Sequence, residues 1–191
     1  MCATSQQKST AHPEPGRVLV DRAGRAHVLL RGSGELLSFD PANPYESTRM
    51  EVCGAPRGIV EGPAGLLVSC ASGGLFAVDP AAGTRHLLGR PAGDLRDLAR
   101  IGDRLFASRF RAAEILELDW EGRLARRIQI RVPEGIDGAR SAVAWRMIAT
   151  AEGQLALAHQ IAHPERPFNQ PPSSPTTAVA PRPARRWCWA R

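Results

Sequence analysis

The stretch GLLVSCASGGLFAVDPAAGTRHLL, residues 65–88, contains three short apolar runs separated by two turn signals. The first turn is Ser-Gly-Gly, and the second, Asp-Pro-Ala-Ala-Gly, begins at Asp79. Glycine adopts positive φ at little cost, and Asp and Pro both favour turns. The arrangement therefore predicts three short strands joined by tight turns.

Two other stretches align with this one: DRAGRAHVLLRGSGELLSFDP at 21–41 and RIGDRLFASRFRAAEILELDW at 100–120. Each copy ends its second apolar strand on an aspartate, and these aspartates, Asp40, Asp79 and Asp119, are spaced 39 and 40 residues apart. One candidate strand precedes each copy (RVLV, RGIV, LRDLARI) and one follows it (STRMEV, TRHLLG, RLARRIQI). Four strands in a period of about 40 residues indicate β-propeller blades.

A fourth copy begins with SAVAWRMIATAEGQLALAHQ, residues 141–160, and a proline- and arginine-rich stretch follows it. Because proline cannot donate to a strand ladder, we expect no regular strands in that stretch. The sequence therefore predicts an all-β fold, a β-propeller segment of about three and a half four-stranded blades. The predicted divisions are a disordered N-terminal segment at 1–16, blades at 17–56, 57–94, 95–140 and, incomplete, 141–163, and a disordered tail at 164–191.

Two segments also carry helical signals. Apolar residues recur at spacings of three and four from Leu95 to Leu105, behind a potential N-cap at Asp94, and 143–158 is rich in alanine. The repeat alignment assigns strands to both segments, and strands are predicted there. Because closed rings have about four to eight blades, we expect a fragment of a larger propeller or an open arc. An open arc leaves unpaired sheet edges, which predicts self-association.

The chain has 191 residues and a net charge of +6, and Lys8 is the only lysine among its 25 cationic residues. No nucleic-acid-binding motif accompanies this charge, so no nucleic-acid partner is expected. No stretch approaches the roughly 20 apolar residues of a membrane helix, and no membrane span is predicted. The N-terminus as written has no apolar signal region, which favours the cytoplasm; a longer N-terminus would allow the periplasm or the extracellular space.

The four cysteines, Cys2, Cys53, Cys70 and Cys188, are scattered and have no C-x-x-C spacing. They fit neither a zinc site nor a dense disulfide framework. A single bridge between Cys53 and Cys70 in an oxidising compartment is one interpretation. Two half-buried free thiols are the other, and the sequence favours the free thiols.

The pattern G-x-L-x-V-x…G-x-L-x-x-V-D-P-x-x-G-x, clearest in residues 65–88, resembles bacterial β-propellers of the NHL, YVTN and lactonase-like groups over roughly 17–160. These groups include binding modules, accessory domains of redox enzymes and hydrolases, so the resemblance bears on fold more than on function. Calcium-dependent lactonase-like members carry Glu, Asn and Asp ligands on channel-facing strands. Among the inner-strand candidates here only Asp97 is of that kind, and the calcium chemistry is not carried over.

The fourth repeat, AWRMIATAEGQLALAHQ, resembles propellers attached to c-type haem domains, but the chain contains no C-x-x-C-H. No cofactor is therefore predicted. His159 and His163 are four apart, the first ending a strand and the second preceding a proline, so no metal site is expected there. The three recurring aspartates are expected to cap turns rather than to form a ring of cation ligands. No catalytic Ser–His–Asp pattern is legible, and no catalytic residue is predicted.

Arginines collect on one set of predicted loops. In a propeller, the loops joining strands two and three and those joining consecutive blades lie on one face, and on these loops arginines outnumber acids. Loop faces are the usual binding faces, and arginine suits carboxylates and phosphates. We therefore expect this face to bind a small anionic ligand or an acidic protein surface, through Arg31, Arg57, Arg96, Arg109, Arg111 and Arg140.

The leading interpretation is a non-catalytic binding or scaffolding module. Two alternatives stay open. One is the remnant of an enzyme-associated propeller, either a lactonase-like hydrolase or an accessory domain of a c-type haem redox protein. The other is a translated gene fragment without a stable function.

Overall fold

The computed structural model describes residues 12–132 and 138–163, together with the backbone of 188–190. Strands occupy most of these residues. The first sheet contains β1 (Pro15–Val20), β2 (Ala26–Leu30), β3 (Glu35–Asp40) and β4 (Asn43–Glu51). The second contains β5 (Pro56–Gly62), β6 (Gly65–Cys70), β7 (Leu75–Asp79) and β8 (Thr84–Gly89). The third contains β9 (Leu95–Ile101), β10 (Arg104–Arg109), β11 (Glu114–Leu118) and β12 (Leu124–Gln129), and the fourth β13 (Arg140–Ala149), β14 (Leu155–Ala162) and β15 (Cys188–Ala190).

Each sheet is an antiparallel meander whose strands are neighbours in chain order. Three sheets have four strands and the fourth has three, so the predicted count of about three and a half blades is confirmed. The first strand of each sheet is the innermost: β5 contacts both β1 and β9, and β9 contacts β13. The sheets therefore stack side by side in chain order, as propeller blades do.

Three apolar cores lie between consecutive sheets. The core between the first and second sheets includes Leu29, Leu36, Ile59 and Val68. The next includes Leu67, Leu75, Leu98 and Leu105, and the third includes Phe106, Ile115, Met147 and Leu157. Since full burial of such a side chain contributes about 1.5–3 kcal/mol, these contacts supply the main driving force for stacking.

The segments with helical signals are strands, as the repeat alignment predicted. The spacing of three between Leu95 and Leu98 has a structural origin in a β-bulge. Leu95 pairs with Arg109 and Leu98 pairs with Ala107, so β9 contains one residue more than β10 over the same length. The extra residue restores both leucines to the same buried face, in contact with the second sheet.

The predicted ends of the folded region need two corrections. β1 begins at Pro15, inside the predicted disordered segment 1–16, because the amides of Arg31 and Gly32 donate to the carbonyls of Glu14 and Pro13. Within the predicted tail, Cys188–Ala190 forms β15 on the free edge of β14, so the expectation of no strand there is wrong for these residues. These residues lie beyond the last proline of the chain, and the edge of β14 has backbone groups with which they can pair. Residues 1–11, 164–187 and 191 lie outside the described residues.

The recurring aspartates cap turns, as expected. The Oδ1 atoms of Asp40 and Asp79 accept hydrogen bonds from the amides of Ala42 and Ala81, each at 2.9 Å. Asp119 Oδ1 accepts from the amide of Arg123 at 2.7 Å. Each carboxylate thus satisfies a backbone donor of its own turn. Among the described residues, no helix is long and apolar enough to span a membrane.

Cys53 and Cys70 form a disulfide, with their Cα atoms 6.5 Å apart. The interpretation as two free thiols is therefore wrong. Cys53 lies in the segment joining β4 to β5, whose amides at Val52 and Cys53 donate to the carbonyl of Gly34. Gly34 has φ +79°, and a Cβ there would lie 2.5 Å from the Cys53 carbonyl oxygen. The β2–β3 turn, which contains Gly34, thus lies close to the segment that joins β4 to β5. This contact places Cys53 next to Cys70 at the end of β6.

Replacing both cysteines by alanine is expected to lower the free energy of unfolding by about 3 kcal/mol, because the bridge closes a loop between residues 17 apart. Urea unfolding of the two proteins measures the difference. Reductant serves as the control: it should lower the stability of the wild type to that of the C53A/C70A variant and leave the variant unchanged. Equal urea midpoints for the oxidised wild type and the variant would contradict the prediction.

Candidate functional site

A cleft of about 270 Å³ lies where the innermost strands β1, β5 and β9 begin. Four arginines line it, Arg31, Arg57, Arg96 and Arg146, together with one acid, Glu14. The structure thus brings together three of the predicted residues, Arg31, Arg57 and Arg96. Arg146, which β13 contributes, was not predicted.

The repeat explains why these side chains converge. Pro56 faces Cys70, Leu95 faces Arg109 and Ala144 faces His159, so Pro56, Leu95 and Ala144 hold the same position in their sheets. The next residue in each inner strand is respectively Arg57, Arg96 and Trp145. Because the sheets stack around a common axis, equivalent positions on neighbouring inner strands lie at one end of that axis.

Two aromatic rings lie beneath the arginines. The Arg96 guanidinium carbon is 4.6 Å from the centre of the Phe110 ring, and that of Arg57 is 5.5 Å from the same centre. Trp145 meets Phe110 edge-on, with ring centres 5.6 Å apart, and Arg96 Nε donates to the Trp145 carbonyl at 3.2 Å. Cation–π contacts of this kind hold a guanidinium in a fixed plane. The arginines are therefore oriented before any ligand arrives.

The cleft concentrates positive charge at a partly buried place. Burial, followed by repulsion from Arg31 and Arg111, lowers the pKa of Arg57. Burial and then repulsion from Arg57 lower the pKa of Arg96. Within the described part of the chain, the buried Nε of Arg57 has no hydrogen-bond partner. An anion placed in the cleft would relieve the repulsion between these arginines.

Asp97 is the buried counter-charge of the cluster. It is 1% exposed, and its Oδ1 lies 3.8 Å from Arg17 Nε and 3.7 Å from Arg146 Nη1. Its Oδ2 accepts from the amide of Met147 at 2.8 Å, and Arg17 Nη2 donates to the Met147 carbonyl at 2.8 Å. The inner-strand acid is therefore used within the protein, where it ties the first, third and fourth sheets together at the axis.

The other three predicted arginines play different parts. Arg109 is an internal ion-pair residue: its Nε donates to Asp94 Oδ1 and its Nη1 to Glu114 Oε2, each at 3.0 Å. Glu114 is buried and also accepts from Arg127 and Gln129.

Arg111 is exposed and does not line the cleft, but its positive charge repels Arg57 and lowers the pKa of Arg57. Arg140 is exposed at the start of β13 and does not line the cleft. Only Arg31, Arg57 and Arg96 of the six predicted residues therefore form its wall.

Sequence reasoning missed Arg146, Trp145 and Phe110. The signal for the first two was present in the inner-strand sequence VAWRMI, because the repeat register aligns Trp145 with Arg57 and Arg96. Phe110 had no such signal. It follows β10 and contacts the arginines Arg57 and Arg96, and its carbonyl accepts the amide of Ala144, which lies in the next sheet.

A second cleft, of about 630 Å³, lies at the opposite end of the first two sheets. Three acids and three arginines line it, and two contacts between charged or titratable groups lie within it. Arg22 Nε lies 3.6 Å from Glu61 Oε2, and Asp21 Oδ2 lies 3.0 Å from His27 Nε2. The hydrogen bond from His27, with its charge, lowers the pKa of Asp21. This cleft is larger, but its acids and arginines balance, whereas arginines outnumber acids by four to one in the arginine cleft.

The Asp21–His27 contact continues to Ser38, whose Oγ is 2.8 Å from His27 Nδ1. The order of groups resembles a catalytic triad, but His27 and Ser38 are 2% and 1% exposed. A hydroxyl so enclosed has no access for a substrate, and the chain of bonds ties the β1–β2 turn to β2 and β3. Among the residues with described side chains, no three His, Cys, Asp or Glu are grouped to hold a metal ion.

Comparison with known proteins identifies the fold. No protein-family model and no curated protein sequence matches the chain. Virginiamycin B lyase from Staphylococcus aureus superposes with a TM-score of 0.62 at 11% identity, over 80% of this chain and 53% of that one. Hydrazine synthase from Kuenenia stuttgartiensis gives a TM-score of 0.57 at 15% identity, over 89% of this chain and 62% of that one. A Bacteroides thetaiotaomicron protein of unknown function gives 0.62 at 10% identity, over 76% and 42%.

The chain spans about half the length of virginiamycin B lyase. At such identities the likeness concerns the fold alone. Together with the stacked four-stranded meanders, it shows that this chain has a β-propeller-type fold, as its repeats predicted.

Proposed function

We propose that this chain is a non-catalytic binding module whose arginine-lined cleft takes a small anionic ligand. The observation that carries the proposal is the convergence of Arg31, Arg57, Arg96 and Arg146 on one concave surface. Glu14 pairs with Arg31 at 2.8 Å, and the buried Asp97 is shared by Arg146 and Arg17. The cationic groups thus outnumber the acids, and a carboxylate or phosphate supplies the missing charge.

The shape of the cleft favours a small ligand over a protein surface. Its volume, about 270 Å³, is near the lower end of small-molecule sites and suits a compact carboxylate or phosphate compound. The Arg57 and Arg96 guanidiniums stack on Phe110, so little side-chain entropy remains to be lost on binding. Arg111 is exposed and is not part of the lining, so a larger acidic partner could contact it in addition to the cleft.

A second candidate is a propeller associated with an enzyme. It is favoured by the likeness to two proteins named as enzymes, virginiamycin B lyase and hydrazine synthase. Sequencing the DNA that flanks the coding region tests it. A longer reading frame with C-x-x-C-H, or with channel-facing Glu, Asn and Asp, would favour this candidate over the binding module.

The proposed function predicts that citrate and inorganic phosphate bind to the chain at low ionic strength. Replacing Arg57 and Arg96 together by glutamine is expected to weaken citrate binding at least about tenfold, because two charge-assisted contacts are lost. Isothermal titration measures both affinities. Arg123→Gln is the matched control, since Arg123 is exposed on the β11–β12 turn and pairs with Asp119; its affinity should equal that of the wild type.

Poly-glutamate is the second probe in the same titration. If poly-glutamate binds through Arg57 and Arg96 while citrate and phosphate do not, the site is a docking surface for acidic proteins and the small-ligand proposal is overturned. Citrate affinity that the double variant leaves unchanged would also overturn it.

The repulsion within the cleft predicts that Arg57→Gln raises the melting temperature by roughly 2–4 °C in low salt, since a charge held against burial and two neighbouring arginines is removed. Salt screens the arginines from one another, so the gain should shrink in 0.5 M NaCl. Differential scanning calorimetry measures both temperatures. Arg123→Gln should show no such gain. A lower melting temperature for Arg57→Gln in low salt would mean that stacking on Phe110 outweighs the repulsion.

A further inference from the structure

Within the described residues, the first and fourth sheets each present exposed apolar side chains on one face. On the first sheet, Val18 and Val20 are each 59% exposed, and on the fourth sheet Ile148 is 44% exposed. All three lie on innermost strands, the part of a propeller blade that is normally enclosed. Exposed apolar side chains on a sheet face indicate a surface that is completed by another element.

The strand register shows what the first sheet lacks. Val18 pairs with Val28 on the neighbouring strand. In the second, third and fourth sheets, the inner-strand residues at the position of Val18 are Ile59, Leu98 and Met147. These three residues are 4%, 3% and 0% exposed, because each packs against the sheet that precedes its own. Val18 occupies the same position in the first sheet, and the described residues contain no sheet that precedes it.

The fourth sheet lacks the opposite half of the same interface. Ile148 pairs with Ala156 on β14. The inner-strand residues at the position of Ile148 in the second and third sheets are Val60 and Ala99. Val60 and Ala99 pack against the sheet that follows their own. Ile148 occupies their position in the last described sheet. The two free faces are therefore complementary, because the equivalent faces of neighbouring sheets within the arc already pack on each other. Val60 of the second sheet, for example, packs in the same apolar core as Leu98 of the third.

We propose that the free face of the first sheet packs on the free face of the fourth sheet of a second copy, and that two such contacts close a two-fold symmetric dimer. The chain spans about half the length of virginiamycin B lyase, so two copies supply the length of one such propeller. Two identical head-to-tail contacts around a two-fold axis along the channel leave neither face exposed. The sequence predicted self-association through sheet edges; the structure assigns it to these two faces, and the assignment does not depend on the anion site.

The test combines two charge variants of the full chain. Val18→Lys and Ile148→Glu each place a charge in both contacts of a homodimer, so each variant alone should run as a monomer where the wild type runs as a dimer. An equimolar mixture should restore the dimer, because one contact then joins the introduced lysine to the introduced glutamate and the other contact is wild type. Sedimentation velocity measures the masses.

Tyr45→Lys is the matched control, since Tyr45 is 95% exposed on β4, at the outer edge of the first sheet, and should leave the dimer unchanged. Circular dichroism melts show whether each variant is folded, and the high exposure of Val18 and Ile148 in one copy predicts little loss of stability. A monomeric wild type would overturn the proposal. A dimer of Ile148→Glu alone would also overturn it, because it would indicate contact between two first sheets. Assemblies larger than two copies would overturn it as well.

Discussion

The structure depends on apolar burial between sheets that no sheet can achieve alone. A four-stranded meander pairs the backbone groups between its neighbouring strands, but it carries apolar side chains on both faces. Leu29 and Leu36 on the first sheet become fully buried only because Ile59 and Val68 of the second sheet cover them. The same dependence recurs at each boundary and makes the apolar core of the arc a series of nearest-neighbour contacts. It also makes the two ends of the arc different from its interior.

The arginine cleft follows from this packing. Stacking brings the starts of the inner strands together, and equivalent positions on neighbouring strands then become neighbours in space. Arg57 and Arg96 meet at such positions: burial and repulsion from Arg31 and Arg111 lower the pKa of Arg57, and burial and repulsion from Arg57 lower that of Arg96. The repulsion between these arginines opposes folding. Local conflicts of this kind are characteristic of binding sites, where a ligand resolves them.

Asp97 shows how the same packing settles the remaining charge. Its carboxylate is buried and lies near both Arg17 and Arg146, and it also accepts the Met147 amide. One acid therefore serves cations from two sheets and a backbone donor. Arg109 is neutralised in a similar way by Asp94 and Glu114, so it cannot serve a ligand although it stands on the predicted face. The acids that folding brings near therefore decide which arginines are paired within the protein.

The sequence by itself determined the repeat, the strand order within each repeat and the turns, because these depend on local spacing and local chemistry. The aspartates at Asp40, Asp79 and Asp119 cap turns through amides within four residues, and such contacts are legible in one dimension. Only the tertiary structure decided the Cys53–Cys70 bridge, the inward pairing of Arg109 and the meeting of Phe110 with Trp145. Each of these joins residues from different strands or sheets. Their proximity depends on bulges, register and sheet stacking, which a 40-residue period does not specify.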